Sequence, residues 1–103
     1  GPTGVDPVAA SPDLTARPNP FNPQTDLFFT SPKAGTATIR IHDVLGRLVT
    51  TLQAGDLPAG AQGRVTWRGR DDAGREVASG TYFAALAVDG RCVGEIRKLS
   101  LVR

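Results

Sequence analysis

The sequence predicts an antiparallel β-sandwich of about seven strands, and three observations predict it. Several short segments alternate apolar and polar residues with the period of two that is typical of half-buried strands. Clusters of Gly, Pro, Asn and Asp separate these segments at intervals of about 8 to 12 residues, as turns do in all-β domains. No segment shows the apolar period of a helix. The chain of 103 residues, with 12 Gly and 8 Pro, therefore suits one domain rich in turns.

Residues 1–13 are predicted to be a linker from an upstream domain, and residues 14–103 to be the folded domain. The linker is small, polar or flanked by proline, with no strand or helix period. Gly1 and Pro2 are typical of the residues that remain after an affinity tag is cleaved off. The sequence contains no methionine, which indicates a piece of a longer chain.

A proline-rich segment follows the linker. Pro18, Pro20 and Pro23 surround Phe21, and proline cannot donate a hydrogen bond to a strand ladder. The segment Asn19 to Thr25 is therefore predicted to lie at an edge or a corner.

Two strands with one apolar face each are predicted after the proline-rich segment. Between them, residues 31–36 (SPKAGT) form a turn cluster suited to a hairpin. Residues 43–47 (DVLGR) make the next reversal, with Gly46 where a left-handed backbone is needed. The residues expected to face the core are Leu27, Phe29, Ala37, Ile39 and Ile41.

The next strand is predicted over residues 48–52, followed by a loop of small residues over 54–63. Trp67 lies in the strand after that loop and is expected at the centre of the core. Gly80 opens another strand, which ends at a hairpin turn over residues 89–90 (Asp-Gly).

The last strand is predicted over residues 92–102. Its apolar period slips near Arg97 and Lys98, which predicts a β-bulge there.

No group of residues points to catalysis or to a metal. His42 and Cys92 are the single histidine and the single cysteine, too few for a catalytic triad or a zinc site. His42 is expected on the solvent face of its strand, and Cys92 as a small buried hydrophobe. Asp56, Asp71 and Asp72 could offer oxygens to calcium, but turn formation is their expected role. The sequence therefore predicts no enzyme activity, metal or cofactor.

The charge of the chain does not single out a partner. Twelve Lys and Arg against ten Asp and Glu leave a net charge of +2 with both signs mixed, so no nucleic-acid partner is predicted. No run of about 18 apolar residues occurs, so no membrane-spanning segment is predicted. The arginines that could together bind an anion, but are expected on a solvated face, are Arg64, Arg68, Arg70 and Arg75.

Four motifs occur in order along the chain. They are Asn19-Pro20-Phe21-Asn22-Pro23, Asp43-Val44-Leu45-Gly46-Arg47, Gly80-Thr81-Tyr82 and the closing Lys98–Arg103. Together they resemble the C-terminal sorting domain of bacterial proteins exported by the type IX secretion system. The stretch 65–83 also resembles the immunoglobulin-like domain of the flagellar hook-capping protein. The motif residues expected to be structural are Asn19, Pro20, Gly46, Trp67, Gly80 and Tyr82.

The resemblance implies an immunoglobulin-like sandwich that acts as an address label and not as a catalyst. Such a domain directs a secreted multi-domain protein through the periplasm of a Gram-negative bacterium and across the outer membrane to the cell surface. The implied partners are the outer-membrane secretion and surface-attachment machinery and an upstream cargo domain in the same parent chain. The residues that the machinery would recognise are Lys98, Leu99, Ser100, Leu101, Val102 and Arg103.

Strand addition to an exposed edge of the last strand would be the physical route to recognition. Leu99 and Leu101 could instead do no more than close the core. Two other functions stay open, namely a structural spacer or assembly domain of hook-cap type and a carbohydrate-binding module. The second needs exposed aromatic rings, whereas the apolar neighbours of Trp67, Tyr82 and Phe83 indicate core packing.

Overall fold

The computed structural model describes residues 13–103, which form seven strands and no helix. The strands make two antiparallel sheets, one with the order β1-β2-β5 and the other with the order β4-β3-β6-β7. The predicted linker lies outside the described residues, apart from Asp13. In chain order the strands are β1 (Thr15–Arg17), β2 (Thr25–Thr30), β3 (Gly35–Asp43), β4 (Leu48–Leu57), β5 (Gln62–Trp67), β6 (Gly80–Val88) and β7 (Arg91–Leu101).

The two sheets bury their apolar faces against each other, which confirms the predicted sandwich. Leu27 and Phe29 of β2 and the alternate residues 37, 39 and 41 of β3 are all buried, as their alternation predicted. The centre of β6 is buried on both faces, since it lies between β3 and β7 and its outward residues Ala85 and Ala87 are small. Trp67 lies in the core with a relative exposure of 1%.

The connection between β2 and β3 is a crossover between the sheets. β2 pairs with β1 and β5, whereas β3 pairs with β4 and β6, so the predicted hairpin over residues 31–36 is wrong. Alternation predicts which face of a strand is buried, but not which strand it pairs with. The crossover is held by Ser31, whose N–H donates to the Ala61 carbonyl (2.8 Å) and whose carbonyl accepts from the Gly60 N–H (2.7 Å).

Two strand irregularities differ from the predictions. β4 continues past residue 52 to Leu57, because a register shift against β3 lets the small residues resume pairing. In β7, Arg97 pairs with Ala84 and Val93 pairs with Leu86, so residues 94–96 stand opposite Ala85 alone. The predicted bulge in β7 is therefore confirmed, and it lies just before Arg97, slightly earlier in the chain than the slip in the apolar period indicated. Gly94, with φ of 75°, supplies the backbone conformation that the bulge needs.

The predicted turn between β6 and β7 is confirmed. Asp89 and Gly90 have φ of 51° and 83°, the pair of positive values of a type I′ turn. Asp89 also accepts a hydrogen bond from the Thr36 N–H (2.9 Å), which joins this turn to the start of β3.

Candidate functional site

The closing motif, Lys98–Arg103, includes the last four residues of β7, an edge strand of the four-stranded sheet, and the two residues that follow it. Leu99 and Leu101 are buried at 0% and 2% exposure, so they close the core. Lys98 is exposed, and Val102 has a relative exposure of 52%. A partner that contacts the closing motif could therefore reach the side chains of Lys98 and Val102, but not those of the two leucines.

The backbone edge of this motif is already paired within the chain. The Phe21 N–H donates to the Ser100 carbonyl (2.9 Å), and the Val102 N–H donates to the Phe21 carbonyl (2.8 Å). The side chain of Asn19 donates to the Lys98 carbonyl (2.9 Å) and accepts from the Ser100 N–H (2.9 Å). The sequence-based expectation of an exposed edge at this position is therefore wrong. Alternation carries no signal for a parallel contact with a proline-rich segment.

Phe21 anchors the proline-rich segment to the core. Its ring has a relative exposure of 2% and lies 5.7 Å from that of Trp67, which in turn packs edge-on against Tyr82 at 5.2 Å. The Trp67 indole N–H donates to the Arg70 carbonyl (3.0 Å), and the Tyr82 hydroxyl donates to the Ala78 carbonyl (2.6 Å). The polar group of each of these two buried rings therefore has a hydrogen-bond partner. Because Trp67 and Tyr82 are buried, the aromatic platform required by the carbohydrate-binding alternative is not formed by them.

The motif residues expected to be structural meet at one end of the sandwich. Gly80 opens β6 and pairs with Leu101. Tyr82 pairs with Asp43, the first residue of the turn that contains Gly46. Pro20 is exposed between two residues that bond to β7.

Arg103 ties the end of the chain to the loop between β5 and β6. Its backbone N–H donates to the Ser79 hydroxyl (2.8 Å), and its guanidinium donates to the carbonyls of Val77 (2.6 Å) and Gly69 (2.6 Å). Glu76 lies 3.6 Å from the same guanidinium. Most of the hydrogen-bonding capacity of Arg103 is thus used inside the domain.

Two of the four arginines suggested for anion binding have other contacts. Arg70 donates to the Gly74 carbonyl (2.9 Å) and lies 3.7 Å from Glu76, and Arg75 lies 3.7 Å from Asp71. Arg64 and Arg68 are exposed. Two of the four therefore pair with acids of their own loop.

The turn after β3 is built by Asp43. Its carboxylate accepts from the N–H groups of Leu45 (2.9 Å) and Arg47 (3.0 Å) and from the Arg47 guanidinium (2.9 Å). Gly46 takes φ of 81°, as predicted. Desolvation raises the pKa of Asp43, but the hydrogen bonds from Arg47 and Leu45 outweigh it and hold the pKa below its ordinary value.

The loop after β5 repeats this turn. Asp71 accepts from the N–H groups of Ala73 (3.0 Å) and Arg75 (2.9 Å), at the same offsets as Asp43. The shared pattern is D-x-x-G-R, in residues 43–47 and again in 71–75. The repeat is the sequence signal for two aspartate-built turns, and the turn expected at Asp71 is confirmed.

The three aspartates considered for calcium bind other groups of the chain. Asp56 accepts from the Thr36 hydroxyl (2.5 Å) and Asp72 from the Thr50 hydroxyl (2.7 Å), while Asp71 shapes its turn. Within residues 13–103, no three His, Cys, Asp or Glu side chains come together as a metal site would require. In the same part of the chain, no helix is long and apolar enough to cross a membrane.

The outward face of the four-stranded sheet carries an open groove of about 650 Å³, lined by His42, Phe83, Cys92 and Ile96 among others. Cys92 is exposed, so its expected burial is wrong. It lies on an edge strand, 3.9 Å from the guanidinium of Arg40. His42 is half-buried at the groove.

Tyr82 is expected to titrate above the ordinary tyrosine pKa of 10.0, because burial and the charge of Asp43 raise its pKa while Arg103 lowers it less. A folded-state pKa above the unfolded one contributes stability that is complete below pH 10 and is lost as the pH rises through the folded value. Tyr82 is the single tyrosine, so ultraviolet absorbance of tyrosinate reports this group alone.

The matched variant for this titration is Tyr82→Phe, which keeps the ring and loses the hydrogen bond to Ala78. It should unfold with about 0.5–1.5 kcal/mol less stability at neutral pH, since one buried hydrogen bond is lost. Its stability should also fall less steeply in alkali. If the absorbance titration of the parent domain gave Tyr82 a pKa at or below that of free tyrosine, the buried environment assigned to its hydroxyl would be contradicted.

Solved structures that share the fold of this chain include PorU, PorZ and FlgD. Dimeric latent PorU from Porphyromonas gingivalis aligns with a TM-score of 0.70 and 18% identity, over 86% of this chain and 9% of PorU. PorZ from the same organism, described as an essential bacterial surface component of the type IX secretion system, aligns with a TM-score of 0.57 and 21% identity, over 88% of this chain and 12% of PorZ. FlgD from P. aeruginosa aligns with a TM-score of 0.58 and 24% identity, over 74% of this chain and 59% of that one.

The chain spans about a tenth of the length of PorU and of PorZ. No curated protein matches its sequence. The sequence model of the FlgD Ig-like domain matches residues 24–90, which is more than half of the chain. The crossover from the first sheet, the D-x-x-G-R turns and the buried Trp67–Tyr82 pair all lie within that match, and the chain belongs to the FlgD immunoglobulin-like domain family.

Proposed function

We propose that this domain is a non-catalytic sorting and anchoring domain that directs a larger secreted protein across the bacterial outer membrane to the cell surface. The observation that carries the proposal is the placement of the closing motif. It ends an edge strand and leaves Lys98 and Val102 exposed for a partner. The structural likeness to PorZ, a surface component of the type IX system, supports the same route.

The partners in this proposal are the outer-membrane secretion and surface-attachment machinery, with a cargo domain upstream in the parent chain. The protein would pass through the periplasm and finish secreted or bound at the surface. Lys98 and Val102 would make side-chain contacts with the machinery, whereas Leu99 and Leu101 would hold the strand in place because they are buried.

Export should be tested with exposed substitutions, because removal of the whole motif would also remove two core leucines. A reporter is fused to residues 3–103 and expressed in a bacterium that has the type IX machinery. Val102→Asp should reduce the surface-exposed reporter about tenfold, the effect of losing about 1.4 kcal/mol of binding. Ile96→Asp is the matched control, since Ile96 lies on β7 before the motif and is 65% exposed against 52% for Val102.

The Ile96 variant should be exported within about twofold of the parent domain, while both variants keep the same thermal midpoint. Equal export of the Val102 and Ile96 variants would contradict recognition of the closing motif.

A structural spacer or assembly domain of hook-cap type is the second candidate, and the family match over residues 24–90 favours it. It predicts that the parent fusion stays in the periplasm although the domain is folded. Export of the parent fusion to the surface would exclude it.

A further inference from the structure

We infer that the proline-rich segment Asn19–Pro23 is an internal occupant of the recognition edge, and that the partner binds by inserting an extended strand that displaces it. The segment is called the cover segment below. This inference rests on the proposed function and names the surface and the kind of ligand that the function requires. The surface, here called the recognition edge, is the outer backbone edge from Lys98 at the end of β7 to Val102 just after it. The ligand is a strand of the recognising protein.

The cover segment makes the hydrogen bonds that an added strand would make. Phe21 bonds through its own N–H and carbonyl to Ser100 and Val102, as a neighbouring parallel strand does. Asn19 extends this pattern with its side-chain amide, which bonds to Lys98 and Ser100. A partner strand cannot reach these backbone groups until the cover segment leaves them.

The cover segment is attached to the domain by few contacts. Phe21 is its only buried residue, and residues 18–20 and 22–24 are exposed. Pro20 and Pro23 have no N–H to donate, so the segment cannot extend its ladder along β7. A strand without proline could add backbone bonds on both sides of the Phe21 position. It would also need an apolar side chain to refill the site against Trp67.

The other parts of the two edges of the four-stranded sheet are less suited to an added strand. The bulge at residues 94–96 interrupts the first half of β7, and Arg97 donates to the Leu14 carbonyl (2.7 Å) just beyond it. On the opposite edge of this sheet, Asp72 bonds through its N–H to the Val49 carbonyl (3.2 Å). The regular stretch under the cover segment is therefore the best template for strand addition in this sheet.

Hydrogen exchange tests the cover segment without reference to export. Asn19→Ala removes both side-chain bonds, and Asn22→Ala is the matched control. Asn22 is the same residue type in the same segment, is exposed, and makes none of the hydrogen bonds found in residues 13–103. The informative amide is Val102, whose acceptor, the Phe21 carbonyl, is unchanged by either substitution.

The Val102 amide should exchange about tenfold faster in the Asn19 variant than in the Asn22 variant, if the segment opens as a unit. Amides in the middle of β6 serve as the reference and should exchange equally in both variants. Equal Val102 exchange in the two variants would overturn the inference, because the segment would then not open as one piece.

Export of the reporter fusion separates the inference from the proposed function. A partner that binds only the open form gains apparent affinity in proportion to the open fraction. The Asn19 variant should therefore be exported more readily than the Asn22 variant at limiting expression of the machinery. Equal or lower export of the Asn19 variant, with the parent fusion exported, overturns displacement and leaves the proposed function standing. Failure of every fusion to be exported contradicts the proposed function, and the displacement that rests on it falls as well.

Discussion

Deletion of Lys98–Arg103 is expected to unfold the domain. The deletion removes Leu99 and Leu101, which are 0% and 2% exposed. Loss of one buried leucine side chain costs about 2–5 kcal/mol, and two such losses approach the whole stability of about 5–15 kcal/mol of a small domain. It also removes the bonds of Arg103 to the loop between β5 and β6. Circular dichroism with urea titration should show no cooperative transition.

The control for the deletion keeps the leucines and truncates the exposed side chains of the same motif. Lys98→Ala and Val102→Ala should each change the free energy of unfolding by no more than about 0.5 kcal/mol. Cooperative unfolding of the deleted chain near the parent midpoint would show that the closing motif does not hold the core. Because the deletion is expected to unfold the domain, an export defect of the deleted chain would not separate lost recognition from lost folding.

Trp67→Ala is expected to lower the free energy of unfolding by about 3–5 kcal/mol, the range for a large aromatic side chain removed from a core. Trp67 is 1% exposed and joins Phe21 on one side to Tyr82 on the other. The change also leaves the Arg70 carbonyl without its indole donor. Urea denaturation followed by circular dichroism measures the loss, since the variant has no tryptophan fluorescence.

Phe28→Ala is the matched aromatic truncation outside the core. Phe28 is half-buried, and the guanidinium of Arg17 lies 4.3 Å from the centre of its ring. Its loss should cost less than half as much as that of Trp67, because less apolar surface returns to water. A cost for Phe28 equal to that for Trp67 would contradict the assigned centre of the core.

The properties of single strands and turns could be predicted because they are local. The burial of Leu27 and Ile39 follows from alternation, since successive side chains in a strand point to opposite faces. The positive φ of Gly46 and of Asp89 follows from the chemistry of short turns. The aspartate-built turn at Asp71 carried the same local signal as that at Asp43.

Predictions from local sequence failed where the outcome depends on how a strand is placed in its sheet. The expected burial of Cys92 assumed an average strand, whereas β7 lies at a sheet edge and turns this side chain outward. The small residues from Ala54 onward predict a loop, yet pairing with β3 makes residues 54–57 part of β4. Tertiary pairing outweighs weak strand propensity in such segments.

The sequence alone was sufficient for the sandwich, the inward faces of β2 and β3 and the turns at Gly46 and Asp89, since each depends on the residue and its near neighbours. The pairing of β2 with β5, the anchoring of Arg103 and the covering of the end of β7 by the proline-rich segment depended on the tertiary structure. Asn19 bonds to Lys98 and Ser100 across 79 and 81 residues of chain. Backbone N–H and carbonyl groups are chemically alike at nearly every residue, so no local pattern specifies which edges will meet.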